Sequence, residues 1–215
     1  MILMNDFKAE PLELREAMLK AANRVLESGW YVLGIECKQF EEQWSTVCGV
    51  GHGVGVANGM DAIEIALLGL SIGGGDEVIT TPMTAFATIL AIIRSGATPV
   101  LADIDSETAL LSIESVRRSL TTNTKAVILV HLYGQVRQMD EWVNFCEENK
   151  IMLIEDCAQA HQATWQGKVA GCFGQAGAYS FYPTKNLGAV GDAGMLVTNN
   201  STLAEKARQL RNYGQ

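Results

Sequence analysis

Between Glu77 and Glu155 the sequence alternates short apolar runs with stretches of helical period. The apolar runs are Glu77 to Thr80, Thr98 to Asp103, Ala126 to His131 and Ile151 to Glu155. None alternates cleanly between apolar and polar residues, as expected for strands covered on both faces. Helical spacing fills the gaps at Phe86 to Arg94, Ile113 to Ser119 and Met139 to Glu148. Strand–helix–strand crossovers of this length place successive strands parallel in one sheet. The flanks extend the pattern. Leu14, Met18, Ala22 and Val25 form one stripe of a helix from Glu13 to Glu27, which Gly29 ends. A second helix is expected from about Glu36 to Val47, then a strand near Val54 to Ala57 and a helix from Asp61 to Leu70. Two more strands, Ala178 to Phe181 and Met195 to Thr198, precede a helix from about Thr202 to Arg211. No linker or low-complexity stretch interrupts the 215 residues. The expectation is one α/β domain over 1–215, with an N-terminal helical segment at 1–48.

Charge narrows the range of partners. The net charge is −8, from 16 basic and 24 acidic residues, and the densest basic pair is Arg117-Arg118. Generic binding to nucleic acid or to an anionic membrane is thereby disfavoured. The five cysteines include no CxxC pair, and no HExxH or Cys/His cluster has metal-ligand spacing, so reduced thiols and no metal are expected. No stretch approaches 18 apolar residues, and Met1 to Leu14 holds Asp6, Glu10 and Glu13 with no apolar run of signal length. These features give the expectation of a cytoplasmic protein.

In an open parallel sheet, ligands bind beyond the carboxyl ends of the strands. Three segments bring polar residues there. In IMLIEDCAQAH (151–161) a strand runs directly into Glu155 and Asp156, with Gln159 three residues on. Asp156 suits holding a metal, orienting a base or pairing with a protonated ring nitrogen, and equally a helix cap or a solvent-exposed strand end; Glu155 reads as structural or exposed. In AYSFYPTKNLGAVGDAGMLV (178–197) a strand presents Ser180, and Lys185 follows in a loop between aromatics and glycines. Such a lysine is either a solvent-facing charge or a nucleophile sharpened by desolvation. In VANGMDAIEIAL (56–67) a strand ends at Asn58-Gly59 and a helix begins, leaving N–H groups that suit a phosphate or carboxylate. The glycine spacing matches neither GxGxxG nor GxxxxGK[ST]. His131 reads as packed or as a support for the site, and His161 as able to approach a ligand. The serines lack a GxSxG setting. Together the three segments suit pyridoxal 5′-phosphate (PLP). A helix N-terminus and Ser180 would hold its phosphate, Asp156 its ring nitrogen and Lys185 its aldehyde carbon.

The order and content of SGWYVLGIECKQFEEQW, VANGMDAIEIAL, GGGDEVITTPMTAFAT, GATPVLADID, TKAVILVHLYGQ, IEDCAQAH, YSFYPTKNLGAVGDAGMLVTN and LRNYGQ resemble the DegT/DnrJ/EryC1 family of PLP-dependent sugar aminotransferases. The resemblance implies the three-layer αβα large domain of fold-type I PLP enzymes, with a mostly parallel central sheet. It implies that Lys185 forms the Schiff base and Asp156 pairs with the pyridine nitrogen. Gln159 would lie near the ring hydroxyl, Ser180 on the phosphate, and the backbone of Gly59 and Met60 beside it. Two positions depart from many relatives. Met60 stands where a threonine hydroxyl would reach the phosphate. Ala85 stands where an aromatic would stack on the ring, with Phe86 next to it as the replacement. The implied substrates are a nucleotide-linked keto-sugar, usually a deoxysugar, and an amino-acid donor such as glutamate. The implied assembly is a homodimer with sites at the subunit interface and Trp30 and Tyr31 near it. A dehydrating branch carries histidine in place of the lysine, so Lys185 reads as transamination, with dehydration as the alternative. Relatives continue into a small C-terminal domain, and the sequence stops at Gln215. The expectation is therefore the large domain alone, with a catalytically silent domain as a further alternative.

Overall fold

The computed structural model describes residues 5–215; residues 1–4 of the expected N-terminal helical segment lie outside the described residues. In chain order the elements are α1 (Leu12–Ser28), α2 (Ile35–Cys48), β1 (His52–Val56), α3 (Gly59–Gly69), β2 (Glu77–Thr80), α4 (Phe86–Arg94), β3 (Thr98–Leu101) and α5 (Ile113–Ser119). They continue as β4 (Thr124–Val130), α6 (Met139–Asn149), β5 (Met152–Asp156), β6 (Thr164–Trp165), β7 (Lys168–Val169), β8 (Ala176–Ser180), β9 (Gly194–Thr198) and α7 (Ser201–Leu210). Every strand and helix expected from the sequence is present, with ends shifted by one to a few residues. The β6–β7 hairpin was not expected.

Seven strands form one sheet in the order β1-β9-β8-β5-β4-β2-β3. Neighbours from β8 to β3 are parallel, while β9 runs antiparallel to both β8 and β1. The strands are short and apolar because both faces are covered. On β4, Val127 and Leu129 join Trp44 of α2, Val116 of α5 and Trp142 and Phe145 of α6 in one core cluster. Ala126 and Ile128, one residue out of phase, join Ala62 and Ala66 of α3, Ile92 of α4 and Leu203 of α7 in the other. The period of two along the strands thus produces three layers, helix–sheet–helix. Each large aliphatic side chain fully buried in this way contributes about 1.5–3 kcal/mol.

One element stands apart. α1 ends at Gly29 in a left-handed cap, as the sequence implies, but it buries no residue. Leu12, Leu19 and Leu26 are each more than half exposed, as are Trp30 and Tyr31 just beyond the helix.

The parallel arrangement brings the carboxyl ends of β2, β4, β5 and β8 to one edge of the sheet. Thr80, Val130, Asp156 and Ser180 end those strands, and β9 turns back at Gly194, paired with Ser180. The loops beyond this edge carry the candidate site.

Candidate active site

Asp156 is the last residue of β5 and is nearly buried, at 7% exposure. Its Oδ2 accepts the Thr88 hydroxyl at 2.7 Å, and its Oδ1 accepts the Ala158 N–H at 3.1 Å. Thr88 lies in α4, and its oxygen is 2.8 Å from the Thr84 hydroxyl. The Thr88 proton is committed to a carboxylate, which only accepts, so Thr84 must donate to Thr88. The chain Thr84→Thr88→Asp156 fixes the carboxylate and leaves lone pairs for one more cationic donor.

Glu155, one residue earlier, faces the other side of the strand and is fully buried. Oε1 accepts the N–H groups of Phe173 (2.7 Å) and Gly174 (2.9 Å). Oε2 accepts the Gly171 N–H (2.7 Å) and lies 2.9 Å from Nε2 of His131. A carboxylate has about four acceptor sites, and here four donors fill them. His131, Glu155 and Cys157 place their ligand atoms within 4.8 Å of one another. With its oxygens filled, Glu155 acts as a structural clamp rather than a metal ligand. His131 is accordingly part of that clamp. Glu155 is structural, one of the two readings left open by the sequence, and it is not exposed.

The opposite end of the site is formed by α3 and β8. Asn58 caps α3, its side-chain oxygen accepting the Asp61 N–H at 2.9 Å. The N–H groups of Gly59 and Met60 precede that cap bond and have no partner among the described residues. Gly59 is required by contact: a Cβ there would lie 2.8 Å from Cβ of Ser180. At Gly194 a Cβ would collide with the Asn58 carbonyl. The two contacts press the start of α3 onto the end of β8 and the start of β9, so Gly59 meets Ser180 with Met60 the next residue along the helix. Met60 is half-buried.

Lys185 is half-buried in the loop after β8, where its N–H bonds the Tyr182 carbonyl at 2.8 Å. The apolar residues around it do not enclose it: Tyr182 is 50% exposed and Val190 is 87% exposed. Lys185 lines a cleft of about 440 Å³ with Tyr133, Gln159, Thr184 and Asn186. Oε1 of Gln159 accepts the N–H of Tyr133 at 2.9 Å, and Tyr133 holds a left-handed backbone (φ 55°). Phe86 is the first residue of α4 and is 67% exposed, two positions before Thr88, while Ala85 caps the helix. His161 turns away from the cleft. Its Nε2 lies 2.9 Å from the Ser180 carbonyl, and its ring packs among Trp44, Tyr179 and Phe181. Burial is the main cause that lowers its pKa, and Lys185 acts in the same direction.

The sequence did not assign roles to Thr84, Thr88, Tyr133 or Asn186. A buried threonine inside a short helix, as at Thr88, is a readable signal, because threonine gains little there without a polar partner. The left-handed Tyr133 has no such signal.

These donors and acceptors have the chemistry PLP requires. Asp156 keeps acceptor capacity for a cationic ring N–H, and the open helix end with Ser180 matches a phosphate. The family model described as the DegT/DnrJ/EryC1/StrS aminotransferase family matches residues 12–215. The chain belongs to this family. It is 44% identical over 209 residues to the dTDP-3-amino-3,4,6-trideoxy-alpha-D-glucose transaminase of Streptomyces venezuelae, a match covering 97% of this chain and 55% of the relative. The structure of S. venezuelae DesV in complex with a ketimine intermediate is similar at a TM-score of 0.94 and 44% identity, covering 98% of this chain and 57% of that one. NtdA of Bacillus subtilis, solved with bound cofactor PMP, is similar at a TM-score of 0.87 and 33% identity, covering 93% of this chain and 45% of that one. The chain thus spans about half the length of these DegT/DnrJ/EryC1/StrS relatives. The family fold agrees with the three-layer architecture and the antiparallel β9 described above. Among the described residues, no helix is long and apolar enough to cross a membrane.

Proposed function

We propose that residues 1–215 form the PLP-binding domain of an aminotransferase that moves an amino group from an amino acid, glutamate, to a nucleotide-linked keto-(deoxy)sugar. The convergence of Gly59, Met60 and Ser180 at one end of the site, with Asp156 at the floor, carries this reading. Bound PLP supplies an electron-withdrawing ring that stabilises charge at the substrate carbon. In this reading the chain's own residues do the rest. Asp156, held by Thr88, keeps the ring nitrogen protonated. The N–H groups of Gly59 and Met60 and the Ser180 hydroxyl bind the phosphate, without the hydroxyl a threonine at 60 would add. Gln159 orients the ring from the cleft side, and Phe86 covers it where Ala85 cannot. Lys185 holds the cofactor covalently and, once released, moves the proton. A lysine rather than a histidine at 185 favours transamination over dehydration.

The same reading includes a homodimer. The unburied apolar stripe of α1 and the exposed Trp30 and Tyr31 support it, since such a stripe gains stability only against another surface. A cytoplasmic setting is supported by five free cysteines.

The test is an absorbance spectrum of the purified chain with added PLP. A band from lysine-bound cofactor is expected in wild type and absent in Lys185→Ala. An amine-transfer assay with glutamate and a dTDP-linked keto-sugar then separates transamination from dehydration. A band that persists in the variant would sink the assignment of Lys185.

A further inference from the structure

Of the five residues that line the Lys185 cleft, Tyr133 alone is aromatic. Its φ of 55° and ψ of 24° are left-handed, a conformation that costs a bulky side chain free energy. The surrounding turn holds it there. The Gly134 N–H bonds the His131 carbonyl at 3.1 Å, and the Gln135 N–H bonds the Leu132 carbonyl at 3.1 Å. The Tyr133 N–H donates to Oε1 of Gln159 at 2.9 Å. On the chain side His131 and Leu132 are buried, and the Glu155 clamp fixes His131. Packing of the ring does not repay the strain. Tyr133 is 73% exposed, and among the described residues its phenol has no hydrogen-bond partner. Glycine takes the same backbone freely, so all that tyrosine adds here is a ring left at the cleft.

The other lining groups indicate what that ring meets. Gln159, Thr184 and Asn186 are neutral hydrogen-bonding side chains, and Lys185 is the only cation among the five. A dicarboxylic amino acid calls for more positive charge than this. A hexose, neutral and rich in hydroxyls, does not. Its C–H face is apolar and matches the face of a tyrosine, whose hydroxyl then lies at the polar rim. Under the proposed function the sugar's reacting carbon comes to Lys185, which brings the hexose, rather than the nucleotide, against Tyr133.

We propose that Tyr133 is a specificity-determining residue for the sugar. Its ring packs on the hexose of the nucleotide-linked substrate, and its hydroxyl bonds a sugar hydroxyl. The left-handed turn presents the ring, and the bond to Gln159 ties it to the side chain assigned to the cofactor. The inference rests on the proposed function and adds which side chain selects the hexose.

The experiment titrates two probes into the PLP-loaded 215-residue chain by calorimetry. One is dTDP-glucose, which has no ketone and does not react; the other is dTDP. Wild type is compared with Tyr133→Phe, Tyr133→Ala and Tyr133→Gly. Glycine adopts the left-handed backbone without strain, so that variant keeps the turn and loses only the ring. Alanine loses the ring and keeps the strain. The dTDP-glucose affinity is expected to fall about tenfold in both the alanine and the glycine variants and about threefold in Tyr133→Phe, with dTDP affinity unmoved. Wild-type dTDP-glucose affinity in Tyr133→Gly would overturn the inference. An equal loss for dTDP would put the ring on the nucleotide, and a weaker lysine-bound PLP band in Tyr133→Gly would put it on the cofactor; each overturns the inference alone. So would a wild type that shows the band but does not bind dTDP-glucose. No band in wild type would remove the cofactor reading and this inference with it.

Discussion

At the end of β5, Glu155 has four donors on its carboxylate and Asp156 has two, and both residues are buried. A few residues past the end of the adjacent strand β8, Lys185 sits in a loop whose Tyr182, Leu187 and Val190 are largely exposed. Its own backbone N–H closes a local turn, and among the described residues no hydrogen bond or ion pair holds its amine. The floor of the site is therefore built before any ligand arrives, and under the proposed function the lysine is the part left free to engage and release. Catalysis by a covalently held cofactor needs both: fixed electrostatics at the ring and a nucleophile able to leave it.

The contrast breaks first at Glu155. Glu155→Ala strips a buried cluster of its only acceptor and should cost about 3–5 kcal/mol in urea unfolding. A loss under about 1 kcal/mol would mean that the 171–174 turn does not depend on the clamp. Next comes Thr88→Val, which keeps the shape of the side chain but removes the donor to Asp156. It should cost about 1–3 kcal/mol and weaken PLP binding, and an unchanged protein would show that the hydroxyl chain does not hold the carboxylate. Acid gives a smaller effect. The His161 pKa is lowered in the fold, so the unfolded chain binds that proton more readily. This contribution to stability is complete above the ordinary histidine value of about 6.5 and is lost as pH falls through the folded value. Unfolding curves in that window should show the slope in wild type and a shallower one in His161→Gln. Smallest is Lys185→Ala, with a change in stability within about 0.5 kcal/mol despite the complete loss of cofactor attachment. A large destabilisation there would erase the distinction between floor and loop.

The sequence was most informative where local chemistry and periodicity agree. Helices such as Phe86–Arg94 and Ile113–Ser119 declare their period, and the strands declare burial on both faces. Asp156 and Ser180 were legible because a polar residue ending an apolar strand has one destination in a parallel sheet. The β6–β7 hairpin was missed because its strands have two residues each. Its turn residues, Gln166 and Gly167, both at positive φ, lack the asparagine or aspartate that usually marks such a turn. The depth of Glu155 was also out of reach, since its partners come from a turn sixteen to nineteen residues later. The α1 stripe was read correctly as a helix, but a stripe does not say what covers it.

The edge pairing of β1 has a consequence for how the molecule is made. Among the described residues His52–Val56 finds its only strand partner in Gly194–Thr198, and Gly59 finds its packing partner in Ser180. During synthesis the β2–β4–β5 centre can assemble while β1 and the start of α3 still wait for chain that has not yet emerged. Contacts so distant in sequence close slowly, and an edge strand left unpaired meanwhile is open to the wrong partner. The contact of Gly59 with Ser180 thus cannot form until β8 and β9 have been made, and a nascent chain must protect its first strand until then.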